Sequence, residues 1–133
     1  MNSSTEHMDR QVTLVIVTYE DAFQYIAREK EGLNADYQER SAIVNISPGD
    51  MKRLGIEEDA TVRLENATGS VVVQAKLDSK GRPGIGYMPV SPYANRLASY
   101  DPAKAKLSGL KRVEASVEPT DEQVTPISQL LNF

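Results

Sequence analysis

One stretch concentrates prolines, small hydroxyl residues and an amide: Pro89-Val90-Ser91-Pro92-Tyr93-Ala94-Asn95-Arg96. Two prolines stiffen such a segment and break up regular pairing, which leaves nearby carbonyls free to meet a ligand. Ser91 and Ala94 are small enough for close approach, Tyr93 offers a ring face or a hydroxyl, and Asn95 brings both a donor and an acceptor. These are the groups needed to grip the polar edge of a flat heterocycle. A plainer alternative is a strand-exit loop in which Asn95 caps a helical turn, since Pro, Ser and Asn are ordinary loop residues. On residue types alone the plainer alternative is favoured. Among the basic residues, Arg96 stands beside Asn95 and is the one placed to meet a phosphate. Lys80 and Arg82 fall in a turn, where cations are usually solvated.

Other chemistry is scarce. The chain has no cysteine and one histidine, His7, in a polar lead-in. Disulfides, thiolate nucleophiles and iron–sulfur ligation are thereby excluded, and zinc and redox metals lose their preferred ligands. General acid–base work would fall to carboxylates, Lys or Tyr. The acidic runs Glu57-Glu58-Asp59 and Asp121-Glu122 lack the alternating spacing of a calcium loop and read as a solvated turn and a tail. Ser47-Pro48-Gly49-Asp50 has the form of a helix start, and helix starts attract anions. Asp50 already places a negative charge there, so the segment reads as a structural cap. If the protein takes part in redox chemistry, a cofactor or another chain must carry the reaction.

With 133 residues, 40% of them hydrophobic and 26% charged, the chain has the size and composition of one soluble domain. A net charge of −4 without a basic cluster argues against nucleic acid as a partner. No apolar run approaches the roughly 20 residues of a membrane helix. The opening MNSSTEHMDRQ lacks the apolar core of a secretory signal, so a cytoplasmic chain is expected.

The elements that must position the loop follow from periodicity. Residues 1–11 read as a disordered lead-in, 12–118 as the domain and 119–133 as a tail. The run 12–17 (VTLVIV) is a buried strand. Asp21 and Gln24 open a helix that runs to about residue 31, with a second short helix equally open within 33–40. Residues 42–46 (AIVNI) form a strand, and Ser47 caps a short helix that Gly55 ends. A hairpin pairs 61–65, with Val62 and Leu64 inward, to 70–77, with Val71, Val73, Ala75 and Leu77 inward, across the turn 66–69. Strands over 85–90 and 112–118 complete six, flanking a loop at 91–99 that has room for one helical turn. No segment repeats. The tail ends in an apolar patch, Ile127, Leu130, Leu131 and Phe133, suited to docking on a partner. Six short strands without a βαβ repeat favour a small closed barrel.

Three segments carry a resemblance. They are 45–56 (NISPGDMKRLGI) with Val62-Arg63-Leu64 and Gly69-Ser70-Val71-Val72-Val73, then 84–95 (GIGYMPVSPYAN), then 117–123 (VEPTDEQ). In order and spacing the chain resembles the small pterin-binding subunit of formylmethanofuran dehydrogenases, a stand-alone form of the molybdopterin-dinucleotide-binding domain. The first segment is shared with C-terminal domains of formate dehydrogenase and nitrate reductase; the loop and tail narrow the likeness to that small subunit. The family fold is a mainly β, six-stranded double-psi β-barrel with short helices. The resemblance favours the ligand-binding reading of the loop. It implies that Pro89, Val90, Ser91, Pro92, Tyr93, Ala94, Asn95 and Arg96 help to bind a molybdopterin guanine dinucleotide. Thr18, in Thr18-Tyr19-Glu20, stands where the family often places a Gly-Arg-Thr-type contact and joins that set. The molybdenum or tungsten would be ligated by a large catalytic pterin/iron–sulfur subunit, and this chain would be a non-catalytic member of a complex that reduces CO2 to formate and forms formylmethanofuran. Two departures bear on the fold. Glu58 stands where the family usually turns on a glycine, so either Glu58 takes the left-handed conformation or the turn differs. Residues 103–107 (AKAKL) replace a Thr-Gly-x-Pro element. The alternatives are a split pterin-binding domain of another molybdo- or tungsto-enzyme, and a double-psi barrel used for protein interaction.

Overall fold

The computed structural model describes residues 10–20, 35–98 and 112–130. The helix predicted over 21–31, the divergent stretch 103–107, His7, Leu131 and Phe133 lie outside them.

Local signals set most of the elements. Strand β1 (Val12–Tyr19) alternates inward Val12, Leu14 and Ile16 with outward neighbours. Helix α1 (Ala35–Ser41) falls in the second of the two early helical stretches and leads into β2 (Ile43–Ile46). Helix α2 (Pro48–Leu54) starts as the sequence dictates: the Ser47 hydroxyl accepts the Asp50 N–H, Pro48 occupies the first turn, and Gly55 ends the helix at φ 68. The hairpin of β3 (Thr61–Glu65) and β4 (Ser70–Leu77) matches its predicted limits to the residue. Strand β5 (Ile85–Pro89), helix α3 (Pro92–Asn95), strand β6 (Arg112–Pro119) and helix α4 (Ile127–Leu130) follow.

The six strands close into a barrel in the order β1-β5-β2-β4-β3-β6. β1 pairs with β5 and β2 with β4 in parallel; the other pairings are antiparallel. This is the double-psi β-barrel expected from the sequence. Inward side chains at Leu14, Ile16, Val44, Ile46, Val62, Leu64, Val73 and Val117 are fully enclosed. Gly86 faces the same interior, where an added Cβ would lie 3.0 Å from Ile16 Cδ1 and 3.1 Å from Val44 Cγ2, so a side chain there would have to push these neighbours aside.

Register reveals a repeat that the sequence alone did not. Exchanging β1 with β4, β2 with β5 and β3 with β6 maps the ladder onto itself. Leu14↔Ala115 becomes Val73↔Val62, and Ile16↔Gly86 becomes Ala75↔Val44, both observed. The pairs Asn45↔Tyr87 and Leu64↔Val117 map onto themselves and mark the local twofold axis. Past the strand ends, Ser47-Pro48 with Arg53-Leu54 is echoed by Ser91-Pro92 with Arg96-Leu97. Both leucines are buried. The echo is too short to register as a repeat without the backbone.

Three further expectations change. Leu77, expected inward, is 46% exposed, because β2 and β4 end together at the Ile46↔Leu77 pair and leave it beside an open cavity at the rim. The left-handed residue of the 57–60 turn is Asp59 (φ 74) and not Glu58; its carboxylate pairs with Lys76. The described part of the tail, 120–130, lies on this chain's own barrel. Ile127 joins the core at 7% exposure, and Val124 and Leu130 pack against it, so Ile127 cannot reach a partner without leaving this chain's interior.

Candidate functional site

Two sequence regions selected from opposite parts of the chain meet at one end of the barrel. Because β1 and β5 run in parallel, their carboxyl ends coincide: Thr18 is level with Met88 and Tyr19 with Pro89. The Val90 N–H donates to the Tyr19 carbonyl at 2.8 Å, which extends the pairing one residue past the strand. Thr18 is half-buried at this mouth.

The loop that leaves β5 sorts its side chains sharply. Ser91 is buried and caps α3, its hydroxyl accepting the Ala94 N–H at 3.3 Å. Tyr93 and Ala94 are buried as well, and Pro89 is buried under the mouth. Val90, Asn95 and Arg96 are exposed, with Pro92 half-buried between them. The Tyr93 hydroxyl, read from the sequence as a possible ligand contact, instead donates to the Thr125 carbonyl at 2.6 Å. Burial first, and the neighbouring Tyr37 second, push its pKa up to about 12. Tyr93 is therefore held as a neutral anchor. Asn95 does not close its helical turn with its side chain: the bonds there are backbone ones, Asn95 N–H to Ser91 O and Ala98 N–H to Asn95 O. Its amide is left facing out.

The twofold relation locates the loop's peculiarity. Ile46 matches Met88 in register, yet Ser47 follows Ile46 directly while Ser91 follows Met88 only after Pro89 and Val90. The second half carries this insertion, and the inserted Val90 is 49% exposed. At the third position after the capping serine, the first half has buried Asp50 and the second has Ala94.

A residue the sequence reading passed over supports the loop from beneath. The Asn66 amide donates to Leu97 O at 2.8 Å and to Glu114 O at 3.0 Å, while its oxygen accepts from the N–H groups of Thr68 and Gly69. Asn66 opens a turn, and turn asparagines commonly bond their own backbone; nothing local signals the two distant carbonyls. Gly69 lies so close to the loop that an added Cβ would stand 2.8 Å from Arg96 O. Gly69→Ala is accordingly expected to displace residues 96–97 and cost about 1–3 kcal/mol, read as a lowered midpoint in urea.

On the outer wall, the axis pair Asn45 and Tyr87, with Tyr19, Leu77 and Lys80, lines an open cavity of about 520 Å³. The Asn45 amide there donates to Tyr19 Oη at 3.0 Å and to Tyr87 O at 3.1 Å. Among the described residues no group of His, Cys, Asp and Glu could hold a metal ion. No described helix is long and apolar enough to cross a membrane.

The closed double-psi barrel with a proline-punctuated loop at its mouth defines the fold class, and comparison with known proteins supplies the family. Residues 14–130 match the family described as "Molydopterin dinucleotide binding domain", and the chain belongs to that family. It is 30% identical over 105 residues to protein FwdD of Methanocaldococcus jannaschii, covering 75% of this chain and 79% of that one. The resemblance read from the sequence, to the small stand-alone subunit of formylmethanofuran dehydrogenases, is borne out by this relative. Among solved structures, the rationally designed protein apDPBB_sym_79 superposes with a TM-score of 0.51 at 16% identity, covering 84% of this chain and 99% of that one, a likeness of fold.

Proposed function

We propose that the chain is the FwdD-type small subunit of a formylmethanofuran dehydrogenase, where it helps to hold a molybdopterin guanine dinucleotide beside a large catalytic pterin/iron–sulfur subunit. The observation that carries the reading is the meeting of Thr18 with the 89–96 segment at one barrel mouth, in a member of a pterin-dinucleotide-binding family. The residues present suit such a group. The outward Asn95 amide can donate to and accept from a pterin edge, Arg96 supplies an exposed cation for a phosphate, and Val90 covers a ring face. Ser91, Tyr93 and Ala94, buried as they are, shape the loop from within. When bound, the cofactor would supply the molybdenum or tungsten chemistry of CO2 reduction, with the metal's ligands and the methanofuran chemistry left to partner subunits. This chain's part is to orient the pterin and exclude water from one side of it.

The test is purification of the native complex through a tag on this chain, with metal analysis and fluorescence of the released pterin. Asn95→Ala should lower pterin content or its retention about tenfold while leaving the melting temperature in place, as loss of a hydrogen-bonding amide at a ligand edge would. A complex without pterin, or an Asn95→Ala variant that keeps its pterin and melts lower, would overturn the assignment.

A further inference from the structure

We infer that the segment 120–130 is a strap that fixes the candidate loop, with Tyr93, Thr125 and Asn66 as positioning residues for whatever the loop holds; naming that ligand a pterin rests on the reading above.

The strap begins with a gap in the barrel wall. β2 pairs with β4 only from Gln74 to Leu77, so Val72 has no partner on that side. Thr125 fills the place: its N–H donates to Val72 O at 3.0 Å, and its hydroxyl accepts the Val72 N–H at 2.9 Å. Ile127 then inserts into the core, and its N–H donates to Gln38 Oε1 at 2.8 Å. Thr125 is thus held on both sides when its carbonyl receives the Tyr93 hydroxyl. Tyr93 itself is fully enclosed and Thr125 half-buried, so the bond is partly shielded from water.

At the other end of the loop, Asn66 grips the Leu97 carbonyl and ties it to Glu114 of β6. Tyr93 and Leu97 bracket the two exposed polar side chains, Asn95 and Arg96. Pinning the residues on either side of a contact removes its freedom before a ligand arrives, so binding need not supply that ordering. The tail therefore acts on the site through this chain's own loop, even though it lies outside the barrel strands.

Amide hydrogen exchange of the full chain, compared with pterin content of the purified complex, tests this. Tyr93→Phe keeps the ring and deletes only the bond to Thr125; Thr125→Val deletes the hydroxyl that accepts the Val72 N–H and leaves the backbone bond to Val72 O, and Thr125→Ser keeps both. Tyr93→Phe and Thr125→Val should speed exchange across 91–98 by roughly fivefold, the loss of one neutral hydrogen bond, while β3 and its β6 pairing stay protected. Thr125→Ser should match the wild type. Pterin content should fall in the two fast variants and recover in Thr125→Ser. Unchanged exchange in Tyr93→Phe overturns the strap whatever the loop binds. Faster exchange with full pterin, where Asn95→Ala loses pterin, overturns the positioning role. If Asn95→Ala also keeps its pterin, the cofactor reading of the loop is what fails.

Discussion

Alanine at Asp50 is expected to lower the unfolding free energy by about 3 kcal/mol. Its carboxylate is fully enclosed, although it belongs to a short surface helix. It accepts the Gly84 N–H at 2.8 Å and the Ser47 hydroxyl at 3.1 Å, and Arg53 meets its other oxygen at 3.3 Å. Arg53 is well exposed and stays solvated without it, so most of the loss comes from the two neutral donors left unsatisfied. Gly84 matters most. It sits at φ 84, and its carbonyl accepts the Val15 N–H at 2.9 Å, so the residue joins α2 to the first pairing of β5 with β1. Asp50→Asn retains one acceptor and should fall between alanine and the wild type. Urea unfolding monitored by circular dichroism measures both, and an Asp50→Ala midpoint equal to the wild type would mean that water takes over the carboxylate's bonds.

Tyr93→Ala should be costlier still, about 4 kcal/mol, since it empties a fully buried aromatic site and strands the Thr125 carbonyl. A pH signature accompanies it. The phenol is neutral in both states below its ordinary pKa of 10.0, and the folded chain holds its proton to about 12. Between these values the folded state binds a proton that the unfolded state has released, so stability falls as pH rises through the interval. Below pH 10 the contribution is fully present. Tyr93→Phe has no such proton, so the wild-type chain should lose stability more steeply than Tyr93→Phe between these pH values. Parallel alkaline slopes in the two proteins would show that the hydroxyl titrates freely in the folded state.

The sequence was most legible where pairing partners are close along the chain. The β3–β4 hairpin and the capped helix α2 rest on alternation, a turn and a Ser-Pro start, all local, and their limits came out as predicted. The parallel pairings of β1 with β5 and β2 with β4 leave no mark in periodicity, and the resemblance supplied the barrel's topology. At the mouth, residue types drew attention to 89–96 but did not sort the contacts. Tyr93 and Asn95 look equally available in the sequence, yet one is enclosed and the other faces out, because a four-residue helix turns them to opposite sides. Asn66 and Thr125 were missed for the same reason: their partners lie 31 and 53 residues away. The strain in the 57–60 turn moved by one residue, to an aspartate, which tolerates the left-handed region better than a glutamate does.

The twofold ladder has a consequence for how the chain can be made. Taking β1, β2 and β3 as one half and β4, β5 and β6 as the other, each of the pairings β1–β5, β1–β6, β2–β4, β2–β5, β3–β4 and β3–β6 joins one half to the other. Neither half owns a single ladder. A ribosome that has released only the first half holds three strands with nothing to hydrogen-bond, and only the β3–β4 hairpin and the β2–β4 pairing can form before β5 emerges. The remaining closures span long loops, which makes folding slow and leaves apolar edges open meanwhile. By the same logic, a break in the turn between β3 and β4 would yield two fragments that stay unfolded when apart. Mixed together they should recover a barrel, with a midpoint that rises with their concentration.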